Sequence, residues 1–442
     1  ADNTSLDFCY WDTEVSGTAY SAGGDGRTTN AMTYPHAVNT YTKWRFGIFW
    51  TADTDSTVND GYPWLRNTPP VALEVTVEGE EPPEGEEAAE GEISEDRYSG
   101  GDGTEENPFL ISSVEDWQTL CRTQKDWGAH FELTRTLDFT GAEVRSVGWD
   151  YDPDNEFHPL PSFTGSLNGN YFHLRNVNLN RPDMNDVALF YSLKGARIQN
   201  LFIDNISVDA RTYAGALAVY ISSSTVSRCF ISGSVQSLDC AGGMATLISG
   251  DSQIQSCILQ TNVRVRNELN PVGGSAGGIT CFTQDTAFLK CSSAGTIVGK
   301  TDAGGLTAHS LASSFSECYA HVTVQASVAG GLAASVKDGC FTDCYARGIA
   351  SGKTYAAGLI AKTDGMVLNN TDNAEINRCF AAVRTRVDGE GGIAAGLIAS
   401  STNTNVTASY WDSERSGNNS SVGGERRTTA DMSFPYAANS FV

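Results

Sequence analysis

Between residues 210 and 400, apolar and polar positions do not follow the 3.6-residue period of a helix. They come as short runs broken by glycine or polar pairs. One run recurs as "YAGALA" (213–218), "CAGGMAT" (240–246), "SAGGITC" (275–281), "DAGGLTA" (302–308), "VAGGLAA" (328–334), "YAAGLIA" (355–361) and "IAAGLIA" (393–399). Its alanines, Ala214, Ala241, Ala276, Ala303, Ala329, Ala356 and Ala394, lie 26–27 residues apart with two longer gaps. Fifteen or sixteen residues after each of the first five stands a cysteine: Cys229, Cys257, Cys291, Cys318, Cys344. An insertion delays the sixth to Cys379, and Ser409 takes the seventh place. A β-branched run such as "HVTVQA" follows each cysteine.

Gly-Gly inside a helix costs about 1 kcal/mol per glycine, so helix is a poor reading of the marker. Each unit instead reads as three strands of four or five residues joined by turns. Three parallel strands per turn make one coil of a solenoid whose coils stack about 4.8 Å apart. The predicted fold is all-β: a right-handed parallel β-helix with about 27 residues per coil. Stacking places the six marker cysteines in an internal ladder, where a thiol acts as a small apolar side chain. Metal binding by the ladder is disfavoured, because stacked neighbours do not converge tetrahedrally. Cys121, Cys240, Cys281 and Cys340 lie off it, and a disulfide among them stays open.

A longer repeat frames the short one. "YWDTEVSG" begins at Tyr10 and "YWDSERSG" at Tyr410. At this constant offset Tyr10/Tyr410, Trp11/Trp411, Asp12/Asp412, Glu14/Glu414, Arg27/Arg427, Thr28/Thr428 and Met32/Met432 match without a gap. Residues 1–66, with the aromatic segments "WRFGIFW" (44–50) and "NDGYPWLR" (59–66), read as an aromatic-rich lid closing a preceding β-helix. Residues 67–98 read as a strand and an acidic linker, 99–409 as the β-helix, and 410–442 as the start of the next lid. The expected organisation is a tandem array of about 400-residue units or, alternatively, separate subunits in head-to-tail contact; either makes a fibre. At the other end "SSVEDWQTLCRTQ" (112–124) predicts a short capping helix, with Ser113 as N-cap and Trp117, Leu120 and Cys121 over the first coil.

These residues resemble the GLUG-motif proteins, a bacterial surface family; "AGGL" at 303–306 and 329–332 is the nearest form. "GGDGTEENPFLISSVEDWQTL" (100–120) and "FTGSLNGNYFHLRNVNL" (163–179) are similar to the segments that open such β-helices. The resemblance implies a secreted or cell-surface, adhesin-like and multi-modular protein without one shared activity.

Composition narrows the partners. The formal charge of -24 argues against a nucleic-acid binder. Ten of the acids sit in "EGEEPPEGEEAAEGEISED" (78–96), a solvated spacer. No apolar run is long enough to span a membrane. Expected partners are neighbouring copies and a cell-surface glycan or the surface of a host or partner cell, with no cofactor.

Chemistry is sparse. Acids such as Asp251, Glu317, Asp338 and Asp343 fall at turns, and no His-Glu-x-x-His, Gly-x-Ser-x-Gly or phosphate loop occurs. Hence no catalytic, cofactor or metal residue is assigned, and the expected function is a structural or adhesive module. A carbohydrate-active β-helix enzyme is the alternative; it would require paired carboxylates. The loop "GWDYDPDNEFHP" (148–159), with Asp150, Asp152, Asp154 and Glu156, resembles half a calcium loop but lacks its glycine and closing glutamate. His309 and His321 are candidates for proximity on adjacent strands, and Asn-x-Ser/Thr triplets leave glycosylation open.

Overall fold

The computed structural model describes residues 97–148, 162–266, 273–363 and 374–433. Within the first 65 residues it describes 10–14, 16, 25–33, 37, 40–41, 50–51 and 62–65. The acidic spacer, most of the aromatic segment at 44–50 and the acids of the calcium-like loop lie outside these residues. Two compact units divide the chain, Ala1–Ser94 and Glu95–Val442.

In the second unit nearly every strand pairs in parallel with the strand one coil away, which is the expected β-helix. Four sheets run its length: a long-strand sheet of twelve strands, two marker sheets of eight, and a fourth of eleven. One coil comprises Tyr319–Gln325, Val328–Gly330, Ala333–Lys337 and Cys340–Thr342. The next starts at Tyr345, in register with Tyr319.

The coil thus has four strands where the sequence predicts three, because each marker bends at its middle. In three later coils the second marker glycine faces the long-strand sheet at close range, and in the coil of Tyr213–Gly215 the buried Ala216 takes its place. A β-carbon on Gly305, Gly331 or Gly358 would stand 2.0 Å from the next coil's marker carbonyl oxygen. It would also stand 2.7–2.8 Å from the β-carbon of Ala320, Ala346 or Ala381. No side chain fits there.

The ladder is as expected. Cys257, Cys291, Cys318, Cys344 and Cys379 are almost wholly buried, and no described cysteine is in a disulfide. The residue before each ladder position has left-handed backbone: Arg228, Ser256, Lys290, Glu317, Asp343, Arg378 and Ala408 have φ of 44–55°. That sharp corner leaves carbonyls inside the coil, and the thiols answer them. Cys318 Sγ donates to Ser316 O (3.3 Å) and to Phe288 O of the coil before (3.6 Å). Cys344 and Cys379 repeat both bonds. A cysteine here is therefore a small apolar group and also a weak donor. Beside the ladder Phe288, Phe315 and Phe341 stack with centroids 4.5 and 4.6 Å apart.

The helix Val114–Arg122 covers the first coils through buried Trp117, Leu120 and Cys121, and Ser113 with Asp116 forms its capping box. Trp117 meets Phe139 and Phe190 edge-on at 6.2 and 6.1 Å. Burying such rings contributes about 1.5–3 kcal/mol each.

In the first unit, Tyr10–Asp12 pairs in parallel with Asp25–Arg27, and Trp50–Thr51 pairs antiparallel with Trp64–Leu65. A one-turn helix, Thr29–Met32, follows the first pair.

Candidate functional site

Three places in the fold can carry function: the seal on the last coil, the groove along the marker bend, and the outer face of the long-strand sheet.

The seal is built from the second copy of the terminal repeat. Tyr410–Asp412 adds to the long-strand sheet, with Phe380 opposite Tyr410 and Ala381 opposite Trp411. Trp411 thus occupies the position that Ala320, Ala346 and Ala381 hold in the coils before. It is 2 % exposed and lies over Gly396. Ser409 takes the ladder place, accepting from Cys379 N at 3.1 Å and donating to Thr407 O at 2.8 Å. Glu425–Arg427 then covers Tyr410–Asp412 in parallel register.

The first copy repeats this pairing and its side-chain bonds. Tyr10, Trp11 and Asp12 pair with Asp25, Gly26 and Arg27, as Tyr410, Trp411 and Asp412 pair with Glu425, Arg426 and Arg427. Thr29 N donates to Glu14 Oε2 at 2.9 Å, and Thr429 N to Glu414 Oε2 at 3.0 Å. Arg27 lies over the Tyr10 ring at 5.4 Å, and Arg427 over Tyr410 at 5.0 Å. The carboxylates differ in partner: Asp12 accepts from Tyr62 Oη (2.6 Å), whereas Asp412 accepts from Thr429 Oγ1 (2.8 Å).

The marker bend makes an exterior groove that sequence reasoning missed. Its two sheets carry just two acids on their strands, Asp186 and Asp302. Around the first stand Tyr191, Tyr213 and Tyr220, and burial pushes the Asp186 carboxyl up to about 6. Near the second, His309 Nε2 lies 3.0 Å from Ser275 Oγ and 4.0 Å from Asp302 Oδ2. Burial lowers the His309 pKa, with Asp302 opposing. Serine and carboxylate thus approach the same ring nitrogen. In a hydrolytic triad the carboxylate would instead orient the opposite nitrogen. The register runs Asp186, Tyr213, Cys240, Ser275 and then the coil of Asp302. Four coil steps separate the acids by about 19 Å, whereas paired glycosidase acids lie about 5–9.5 Å apart.

The remaining sequence candidates separate. His309 pairs with Phe282 and Ser335 in a marker sheet, while His321 pairs with Ala294 and Arg347 in the long-strand sheet, so they are not on adjacent strands. Cys240 and Cys281 are thiol-to-thiol neighbours, whereas Cys121 donates to Arg145 O and Cys340 meets Thr342 Oγ1. Asp251 and Asp338 occupy left-handed turn positions, and Asp343 holds Arg378 through two bonds of 2.7 Å. Among the described residues no three His, Cys, Asp or Glu side chains gather as a metal site. None of the described helices is long and apolar enough to cross a membrane. Of the glycosylation triplets, Asn205, Asn405 and Asn419 are exposed.

No family model matches the chain. Halomucin of Haloquadratum walsbyi is 32% identical over 122 residues, which is 27% of this chain and 1% of halomucin. A protein of Evansella cellulosilytica described as a Gly-rich membrane protein is 32% identical over 125 residues, 28% of this chain and 13% of the relative. The chain therefore corresponds to a small part of either relative. Among solved structures, a Bacteroides ovatus protein described as an immunoglobulin A1 protease aligns with TM-score 0.49 and 16% identity, over 70% of this chain and 87% of that one. A second, described as IgA1 protease, aligns with TM-score 0.45 and 15% identity, over 68% and 21%.

Proposed function

We propose that this chain is a non-catalytic structural and adhesive repeat module of a large extracellular or cell-surface protein. Units of about 400 residues would stack end to end as a stiff rod or filament, an arrangement suited to a solenoid. One observation carries the reading: the strand pairing and the threonine–glutamate bond within the segment that seals the last coil recur at Tyr10–Met32 in a separate unit. Among that unit's described residues there is no β-helix coil for the first copy to close. In this reading it closes the β-helix of a neighbour, either in a tandem array or across a head-to-tail contact.

The names of the two sequence relatives, a mucin and a membrane protein, support an extracellular or surface location. The resemblance of the marker segments to GLUG motifs is in line with it. The separation of Asp186 from Asp302 supports a non-catalytic role over paired-acid glycoside chemistry. Mass measurement of the polypeptide in its source tests the covalent array. A mass well above this chain's 47.2 kDa is expected, and a mass near that value would contradict it.

A further inference from the structure

Six successive strands of the long-strand sheet run from Phe230–Ser237 to Phe380–Val387. They contain Arg264, His321, Arg347, Arg384 and Arg386 but no Asp or Glu. Yet the chain holds 53 acids against 29 Lys and Arg. These six strands thus form a cationic face on an acidic protein, bounded by acid-bearing strands at either end of the sheet. All five basic residues are exposed. Among the described residues Arg264, Arg347 and Arg384 make no ion pair, while Arg386 donates to Ser351 Oγ at 2.9 Å. The nearby acid Asp343 is already held by Arg378.

At the sealed end this face deepens into a groove of about 530 Å³, walled by Tyr345, Arg347, Phe380, Arg415, Thr429 and Met432. Asp412 also borders it, but its carboxylate is 2 % exposed and accepts from Glu414 N, Arg415 N and Thr429 Oγ1. The two arginines are thus the exposed charges of the groove, set against the buried Asp412 carboxylate and Glu414 behind Thr429. Tyr319, Tyr345 and Phe380 stack 4.9 Å apart along the same face, presenting ring edges outward. Alongside run exposed neutral hydrogen-bonding groups: Gln260, Asn262, Thr323 and Gln325.

We propose that this face, from Arg264 to the groove between Arg347 and Arg415, binds a polyuronate: a polysaccharide with one carboxylate per sugar. A guanidinium fork matches the two oxygens of a carboxylate. Hydroxyls of the sugar rings suit the amide and hydroxyl rows. Arg347 and Arg384 sit one coil and two residues apart, about 8 Å at the backbone, so single cations alternate with neutral donors. Nucleic acid presents a denser row of phosphates and needs clustered cations, which the net charge of this chain opposes. Because the stacked rings cover one another's faces, they also offer bases no platform. This inference stands apart from the end-to-end array.

The test is calorimetric titration of the 442-residue chain with polygalacturonate at 150 mM NaCl, beside dextran, heparin and single-stranded DNA. The polyuronate is expected to bind best. Arg347→Gln should weaken it about tenfold, the loss of one charge-assisted pair. Lys290→Gln, the same charge change at a turn where Lys290 meets Glu317, should leave it unaltered. Arg384→Gln gives a second reading if Arg347→Gln fails to fold, as judged by circular dichroism. No binding of polygalacturonate, full affinity in a folded Arg347→Gln, or equal affinity for dextran, heparin or DNA would overturn the proposal.

Discussion

Trp411 lies directly over Gly396: a β-carbon on the glycine would stand 2.0 Å from Cε3 of the indole. In the three coils before it the same marker glycine faces an alanine instead. The last coil is thus closed by a ring too large for another identical coil to follow. The Gly396–Trp411 contact turns a repeating stack into a finite one.

Gly396→Ala should overpack this contact and cost about 1–3 kcal/mol. Trp411→Ala should cost more, about 3–5 kcal/mol, since it empties a buried ring site. It also loosens the strand Tyr410–Asp412 that covers the edge of Phe380–Val387, and unpaired edges recruit other chains. Thermal melts with light scattering check both: a lower melting temperature for each, and aggregation below the melt for Trp411→Ala alone.

Phe315 is held between Phe288 and Phe341 with ring planes within 2° and 8° of parallel. Phe315→Ala should cost about 3–5 kcal/mol. Half-buried Phe282, on the outer wall of the marker groove, should cost less when truncated. Urea unfolding of the two variants compares them directly. Equal losses would mean that the stacked rings add nothing beyond ordinary burial.

The ladder thiols should be inert in the native state. All but the flanking positions are wholly enclosed, and burial pushes the capping helix's Cys121 up to about 12. A thiol attacks as its thiolate, so alkylation at pH 8 should mark half-buried Cys240 and Cys340 and spare Cys257, Cys291, Cys318 and Cys344. In guanidinium all should react. Peptide mapping after iodoacetamide reads the pattern.

Asp186 should make stability pH-dependent. Its folded pKa of about 6 lies above the unfolded value of about 3.9, so the native state holds the proton more tightly. The contribution is fully present below about pH 4 and is lost as pH rises through about 6. Asp186→Asn should flatten the melting temperature across that window. An unchanged slope in the variant would assign the titration to another group.

Much of this was legible in the sequence, for physical reasons. A coil places residues 26 or 27 positions apart in contact, so the spacing of Cys291, Cys318 and Cys344 reads directly as stacking. The cap at Ser113 was equally plain, because helix capping is local. The fourth strand was not legible, because the bend brings the marker against another sheet, as where Gly331 meets Ala346 fifteen residues away. The basic face was hidden for a related reason. Arg264, His321, Arg347 and Arg384 look scattered along an acidic chain and share a face only once the coils are wound.

The claim that these β-helices continue end to end is tested most directly by electron microscopy of the material in its source. Thin fibres of β-helical segments joined end to end, at the spacing of one 400-residue unit, are the predicted image. Separate particles of one unit each, at every concentration, would contradict the account.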